Sequence, residues 1–162
     1  MRTSRIAAAL ALGLVLLPGT ALGQSPRDKV VGSGRVAGLA GAADAFNVSA
    51  HSRADGTHAK GQMHQFQVDF TPGGKGKGKV VCMVVDGNRA AVIVEFKGRQ
   101  PYGPGYPYGA LYVEDNGGPN SATPDRAIAL GSAGTDCQGV LDAYGATAQP
   151  LLQGNIKVRD AS

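Results

Sequence analysis

Tryptophan is absent from this 162-residue chain, histidine occurs three times and cysteine twice. No C-x-x-C pair exists, so thiol–disulfide catalysis lacks its motif. No G-x-S-x-G elbow exists either; Ser33, in a Gly-Ser-Gly setting, falls on an expected strand without the turn that presents a nucleophile. Beyond the first two dozen residues no stretch is apolar enough to cross a membrane. None keeps apolar residues at i, i+3, i+4 and i+7 through three turns, which leaves long amphipathic helices out. Net charge is small: +4 over the whole chain, and +2 once Arg2 and Arg5 are set aside. That balance gives no reason to expect nucleic acid or an anionic membrane surface as a partner.

What is present begins with an export signal. Arg2 and Arg5 precede an apolar run from Ile6 to Leu17, Pro18 and Gly19 end it, and Ala21-Leu22-Gly23 sets small side chains where a signal peptidase cuts. The run falls short of the about 20 residues that span a bilayer. Cleavage is expected after Gly23, leaving residues 24–162 as one domain in a secreted, periplasmic or cell-envelope setting. Gln24 follows the cut, so lipid attachment at a new N-terminal cysteine is excluded. In that oxidising compartment Cys82 and Cys137 are expected to form a disulfide.

Glycine is abundant, at 25 residues. Short alternating or β-branched runs lie between turn residues, the pattern of an antiparallel all-β domain. Eight strands are expected: 29–36, 45–53, 58–70, 79–85, 89–96, 109–114, 126–130 and 155–159. In the second, Phe46, Val48 and Ala50 share a face. Asp55-Gly56 signals a type I′ hairpin. With a two-residue turn, opposed residue numbers sum to 111, so His51 faces Lys60, His58 faces Arg53 and His64 faces Asn47. Apolar parity in the third strand switches between Met63 and Phe66, which predicts a bulge near His64 or Gln65. Successive hairpins make a meander that can close into a small β-barrel with its first and last strands paired, removing the open edges. A two-sheet β-sandwich would bury the same faces. Residues 99–108 read as one long ordered loop, and 131–150 as a second excursion that Cys137 would pin to the fourth strand.

The run GGKGKGK, residues 73–79, raises the question of a phosphate loop. Gly73, Gly78 and Lys79 fit the first seven places of G-x-x-x-x-G-K-[ST], but Val80 stands where a hydroxyl would hold magnesium. The VVCMVV that follows is strand-like where a helix N-terminus is needed, so nucleotide binding is not expected. Two readings remain. One is a solvated hairpin connection whose lysines discourage edge pairing. The other is a cationic patch in which Lys75, Lys77 and Lys79 share one side of an extended segment and meet an acidic cell-wall polymer or other polyanion.

Tyr102, Tyr106, Tyr108 and Tyr112, with Pro101, Pro104 and Pro107, form the densest aromatic group. Tyrosine stacks on sugars or partner proteins while its hydroxyl stays hydrated, and proline lowers the ordering cost of such a loop. The same loop could instead fold down over one barrel end. Asp115, Asn116 and Asp125, near Glu114 and Asn120, are rich in oxygen as calcium requires, yet the EF-hand ligand order is unmatched. Such side chains equally bond nearby backbone N–H groups to shape a turn. The three histidines share a face at spacings too wide for one metal at about 2.0–2.1 Å, beside Arg53 and Lys60. Glu95 and Glu114 could flank a glycosidic bond, with nothing to fix their separation. No catalytic residue, metal or cofactor is assigned.

The stretch GKVVCMVVDGNRAAV (78–92) is followed by YVEDNGGPNSATPDRAIAL (112–130), Cys137 and GNIKV (154–158). It resembles a pattern found in a family of uncharacterised secreted bacterial all-β proteins: V-x-C, V-D-G-N-[RT]-A, Y-V-x-D-N-G, P-D-R, a second cysteine and G-N-I-x-V. The resemblance implies a small exported all-β domain and assigns no catalytic or binding residue. The PYGPGYPYG loop and the GGKGKGK run depart from it. Taken together, these features lead us to expect a monomeric, non-catalytic β-barrel module that binds an extracellular or envelope ligand, a glycan or polyanion, through its end loops. An enzyme or small-ligand carrier using the barrel mouth is the alternative.

Overall fold

Inward apolar and outward polar residues alternate along each strand, and tight turns return the chain antiparallel beside its predecessor. The computed structural model describes residues 27–37, 43–67, 74–98, 100–118 and 121–162. The expected signal segment, the end of the expected third strand at 68–70, and Arg99, Gly73 and Asn120 lie outside the described residues. The elements are β1 (Arg27–Ala37), β2 (Ala43–Arg53), β3 (Lys60–Gln67), β4 (Gly74–Asp86) and β5 (Arg89–Phe96). Then come β6 (Tyr108–Glu114), β7 (Arg126–Ser132), α1 (Cys137–Tyr144), β8 (Gln149–Pro150) and β9 (Gln153–Arg159). All nine strands form one antiparallel sheet in the order β8-β7-β6-β5-β4-β3-β2-β1-β9, which curls through 287° into a half-barrel. The first and last long strands pair as expected, Lys29 opposite Arg159 and Val31 opposite Lys157. The two-sheet sandwich does not form. No described helix is long and apolar enough to cross a membrane.

Two apolar layers hold the sheet. The concave side is filled by Val30, Phe46, Met63, Val92, Leu111 and Ile156 among others. On the convex side of β4–β7, α1 lays Cys137, Val140 and Leu141 against Ile93, Tyr112 and Ile128. Burying Val140 and Leu141 contributes about 1.5–3 kcal/mol each. Asp136 starts the helix, its side chain accepting from the Gly139 N–H at 2.9 Å, a cap worth about 1 kcal/mol. Cys82 and Cys137 are disulfide-bonded, with Cα atoms 6.0 Å apart, and tie α1 to β4. The excursion pinned by Cys137 was expected; its helix was not.

Three expectations need correction. β4 starts at Gly74, so residues 74–79 of the Gly-Lys run are strand and not a hairpin connection. Its glycines face inward, where a Cβ on Gly76 would come within 2.6 Å of the Phe96 ring and 2.8 Å of Pro101. Neighbours already occupy that volume, and the lysines alternate outward. Next, the bulge lies between Val80 and Cys82 in β4, not in β3. Lys75, Lys77 and Lys79 point out and Cys82 must also point out to reach α1, an odd-to-even conflict that one extra residue, Val81, absorbs. In β3 the parity is unbroken and Gln65 simply points inward, fully buried. Finally, the β2–β3 register sums to 111 from His51↔Lys60 to Asp44↔Gln67, but His58 does not face Arg53. Arg53 instead bonds to Thr57 and Gly56, and His58 sits in the turn at φ 58°.

The half-barrel's open seam, between the β6–β7 side and β9, is closed by aspartates and not by a ladder. Asp125 accepts the Ile156 N–H (2.9 Å) and the Asn116 N–H (2.9 Å), one on each carboxylate oxygen. Asp115 accepts the Val158 N–H (3.0 Å) and the Gly117 N–H (3.1 Å). Ile156 and Val158 are two apart, so both N–H groups project from the edge of β9 that lacks a strand neighbour. Without these carboxylates those donors would be orphaned.

Candidate functional site

The loop from Gln100 to Pro107 leaves β5 and folds back over one end of the half-barrel. Gln65 Nε2 donates to the Tyr102 hydroxyl from inside. A Cβ on Gly131 would lie 2.7 Å from Tyr102 Cβ and 2.8 Å from Tyr106 Cγ, so both tyrosines rest on bare β7 backbone. Tyr108 belongs to β6 and packs with the α1 cluster. Of the three candidate binding tyrosines, Tyr106 is exposed, at 46%. The loop is a plug for the barrel end, and two of its rings serve packing.

Beneath that plug lies a cluster of buried polar side chains that sequence reasoning missed. Asp44 is buried at 5% exposure and Gln65 at 0%, and among the described residues neither Asp44 Oδ1 nor Gln65 Oε1 has a hydrogen-bond partner. Burial pushes the Asp44 carboxyl from the usual 3.8 up to about 6. Burial first, and the nearby Asp44 carboxylate second, raise the Tyr102 hydroxyl well above its ordinary value, while the Gln65 bond works against them. Because folded Asp44 holds its proton to higher pH than the unfolded chain does, stability is highest below about pH 4 on this account and falls as pH rises through about 6. Asp44→Asn removes that dependence. Urea titrations of the two proteins are expected to show the variant gaining about 2–3 kcal/mol relative to wild type between pH 4 and pH 7. A constant difference across that range would refute the assignment. Asp44 was legible in principle, since it shares the inward parity of Phe46 and Val48.

Asp115, Asn116 and Asp125 are brought together, but all four carboxylate oxygens accept backbone N–H groups, and Lys157 Nζ lies 3.6 Å from Asp115 Oδ1. A cation would have to displace the bonds that close the seam. No described cluster of three His, Cys, Asp or Glu side chains could share a metal. His51 and His64 lie on the convex face, four residues apart in ladder terms because His64 opposes Asn47; His58 Nδ1 contacts Thr57 Oγ1 at 3.1 Å. Glu95 opposes Tyr108 and Glu114 opposes Arg89. Six rungs separate the two carboxylates, about 20 Å, against the roughly 5–9.5 Å a glycosidase pair requires.

The convex face of β2–β4, which no described helix covers, is basic. Lys75 opposes Phe66, Lys77 opposes His64 and Lys79 opposes Gln62, all three exposed. The Lys97 N–H donates to the Lys77 carbonyl at 3.2 Å, which sets a further lysine beside the row. The ion pairs among the described residues are Arg89–Asp86, Arg126–Glu114 and Lys157–Asp115, so none of these lysines is neutralised by a bridge. Glu95, across the rung from Lys79, is the acidic neighbour. Where β3 and β4 part beyond the Gln62↔Lys79 rung, a groove of about 820 Å³ opens, lined in part by His51, Lys60, Lys77, Lys79 and Lys97. No family model, no curated protein and no solved structure matches this chain.

Proposed function

We propose that this chain is an exported, non-catalytic binding module that holds an anionic extracellular or envelope polymer against the convex face of β2–β4. One observation carries the reading: Lys75, Lys77 and Lys79 stand on one side of one strand without a salt-bridge partner among the described residues. Alternate residues of a strand repeat at about 6.6 Å, a spacing that suits a chain of regularly repeated negative groups. The plugged end and filled concave side favour an exterior site over the barrel mouth, and the Cys82–Cys137 bond is in keeping with secretion into an oxidising space.

The test is retention of the mature protein on immobilised heparin and on anionic wall polymer, measured against salt. Replacing Lys75, Lys77 and Lys79 with serine is expected to reduce the slope of log K against log salt by about 2 to 3. Retention and slope unchanged by the triple substitution would end the proposal.

A further inference from the structure

A flat row of lysines binds charge but does not select among ligands; the groove beside it has the shape to do so. The β3–β4 ladder ends at Gln62↔Lys79, and the strands meet again only near the β2–β3 turn, where a Cβ on Gly56 would lie 3.2 Å from the Met83 carbonyl. Between these two points the sheet opens, and Val80, where the β4–β5 register shifts, lines the gap. Its floor is small and weakly polar: Ala59, Gly61, Gly78 and Val80. Four exposed lysines, Lys60, Lys77, Lys79 and Lys97, also line it, with Ser49, Gln62 and His51. Among the described residues no acidic side chain lines it, and Glu95 faces Lys79 from the next strand. Asp55, on the adjoining turn, is already engaged by the Thr57 N–H at 2.9 Å and the Thr57 hydroxyl at 2.6 Å.

A bare phosphate or sulfate would leave most of about 820 Å³ empty. Small, weakly polar residues beside neutral hydrogen-bonding groups, with lysines that have no ion pair among the described residues, suit a sugar ring carrying an anionic ester. Resting on the polymer-binding reading above, we propose that the β3–β4 gap is a subsite for one phosphate- or sulfate-bearing saccharide unit of that polymer. The row Lys75, Lys77 and Lys79 guides the chain, and Lys60 and Lys97 clamp the ester from either side.

Calorimetric titration with a heparin-derived tetrasaccharide, mannose 6-phosphate and inorganic tripolyphosphate tests this at low salt. One of the two saccharides is expected to bind, which identifies the ester as sulfate or phosphate, and tripolyphosphate is expected to bind more weakly. The double variant K60A/K97A is expected to weaken the saccharide about tenfold. The variant R35A/R159A removes the same charge from exposed positions outside the groove and is expected to change affinity less than twofold. Equal losses in the two variants, tighter binding of tripolyphosphate, or no binding of either saccharide would each overturn the subsite. If the wild type still shows lysine-dependent retention on the polymer columns, only the subsite fails; if that retention is missing as well, the broader proposal fails with it.

Discussion

Replacing Asp125 with alanine is expected to lower the melting temperature by about 10–20 °C. Asp125 is 7% exposed, and its two oxygens receive the N–H groups of Ile156 and Asn116. A hydrogen bond to a charged acceptor contributes about 1.5–3 kcal/mol, and a buried donor left without a partner adds its own penalty. Ile156 is fully buried, so water cannot take over that bond. The summed loss is about 3–5 kcal/mol, a large share of what a domain this size has to spare. Asparagine keeps one acceptor oxygen but turns an amide against the other N–H, so Asp125→Asn is expected to lose roughly half as much. Thermal unfolding followed by circular dichroism measures both. A melting point within about 3 °C of wild type for the alanine variant would mean that β9 is held by its β1 ladder alone.

Breaking the disulfide is the second large effect. Cys82 and Cys137 are 55 residues apart, and closing a loop of that length restricts the unfolded chain by about 4 kcal/mol in the entropy model. The bond also fastens α1 to the sheet, where Cys137, Val140 and Leu141 bury against the convex side. The paired substitution of both cysteines by serine is therefore expected to reduce unfolding free energy by about 2–4 kcal/mol in urea. Hydrogen exchange should quicken most in α1 and on β5 and β6 beneath it, with β1–β3 following only the global change. An unchanged urea midpoint after substitution would contradict this.

Much of the architecture was readable from local pattern. The paired faces of β2 and β3 followed from one turn signal, because a buried face permits only one parity. The Gly-Lys run was misjudged because glycine weakens an isolated strand; the reason for it, the Phe96 ring and Pro101 crossing the interior, lies some twenty residues further along the chain. The bulge was sought in β3 because the apolar residues Met63 and Phe66 differ in parity, whereas the real conflict in β4 was masked by VVCMVV, which is apolar on both faces. α1 has eight residues, too few turns to display a helical period. The seam aspartates and the groove depend on the curl of the sheet, which brings residues together that no sequence window contains. The lysine row was visible as composition; Lys60 and Lys97, which complete the cationic rim, were not.

Only Leu151 and Leu152 separate β8 from β9, yet these two strands occupy opposite edges of the sheet. Hairpins β1 through β7 can therefore form one after another as the chain emerges, whereas β9 must find a partner laid down at the very start, with Lys29 opposite Arg159. Closing so long a loop is slow, and contacts of this range set the pace of folding. Until the final dozen residues arrive, β1 keeps a free edge able to recruit another chain. Premature termination near the C-terminus would then yield a sticky intermediate, not a slightly shortened protein.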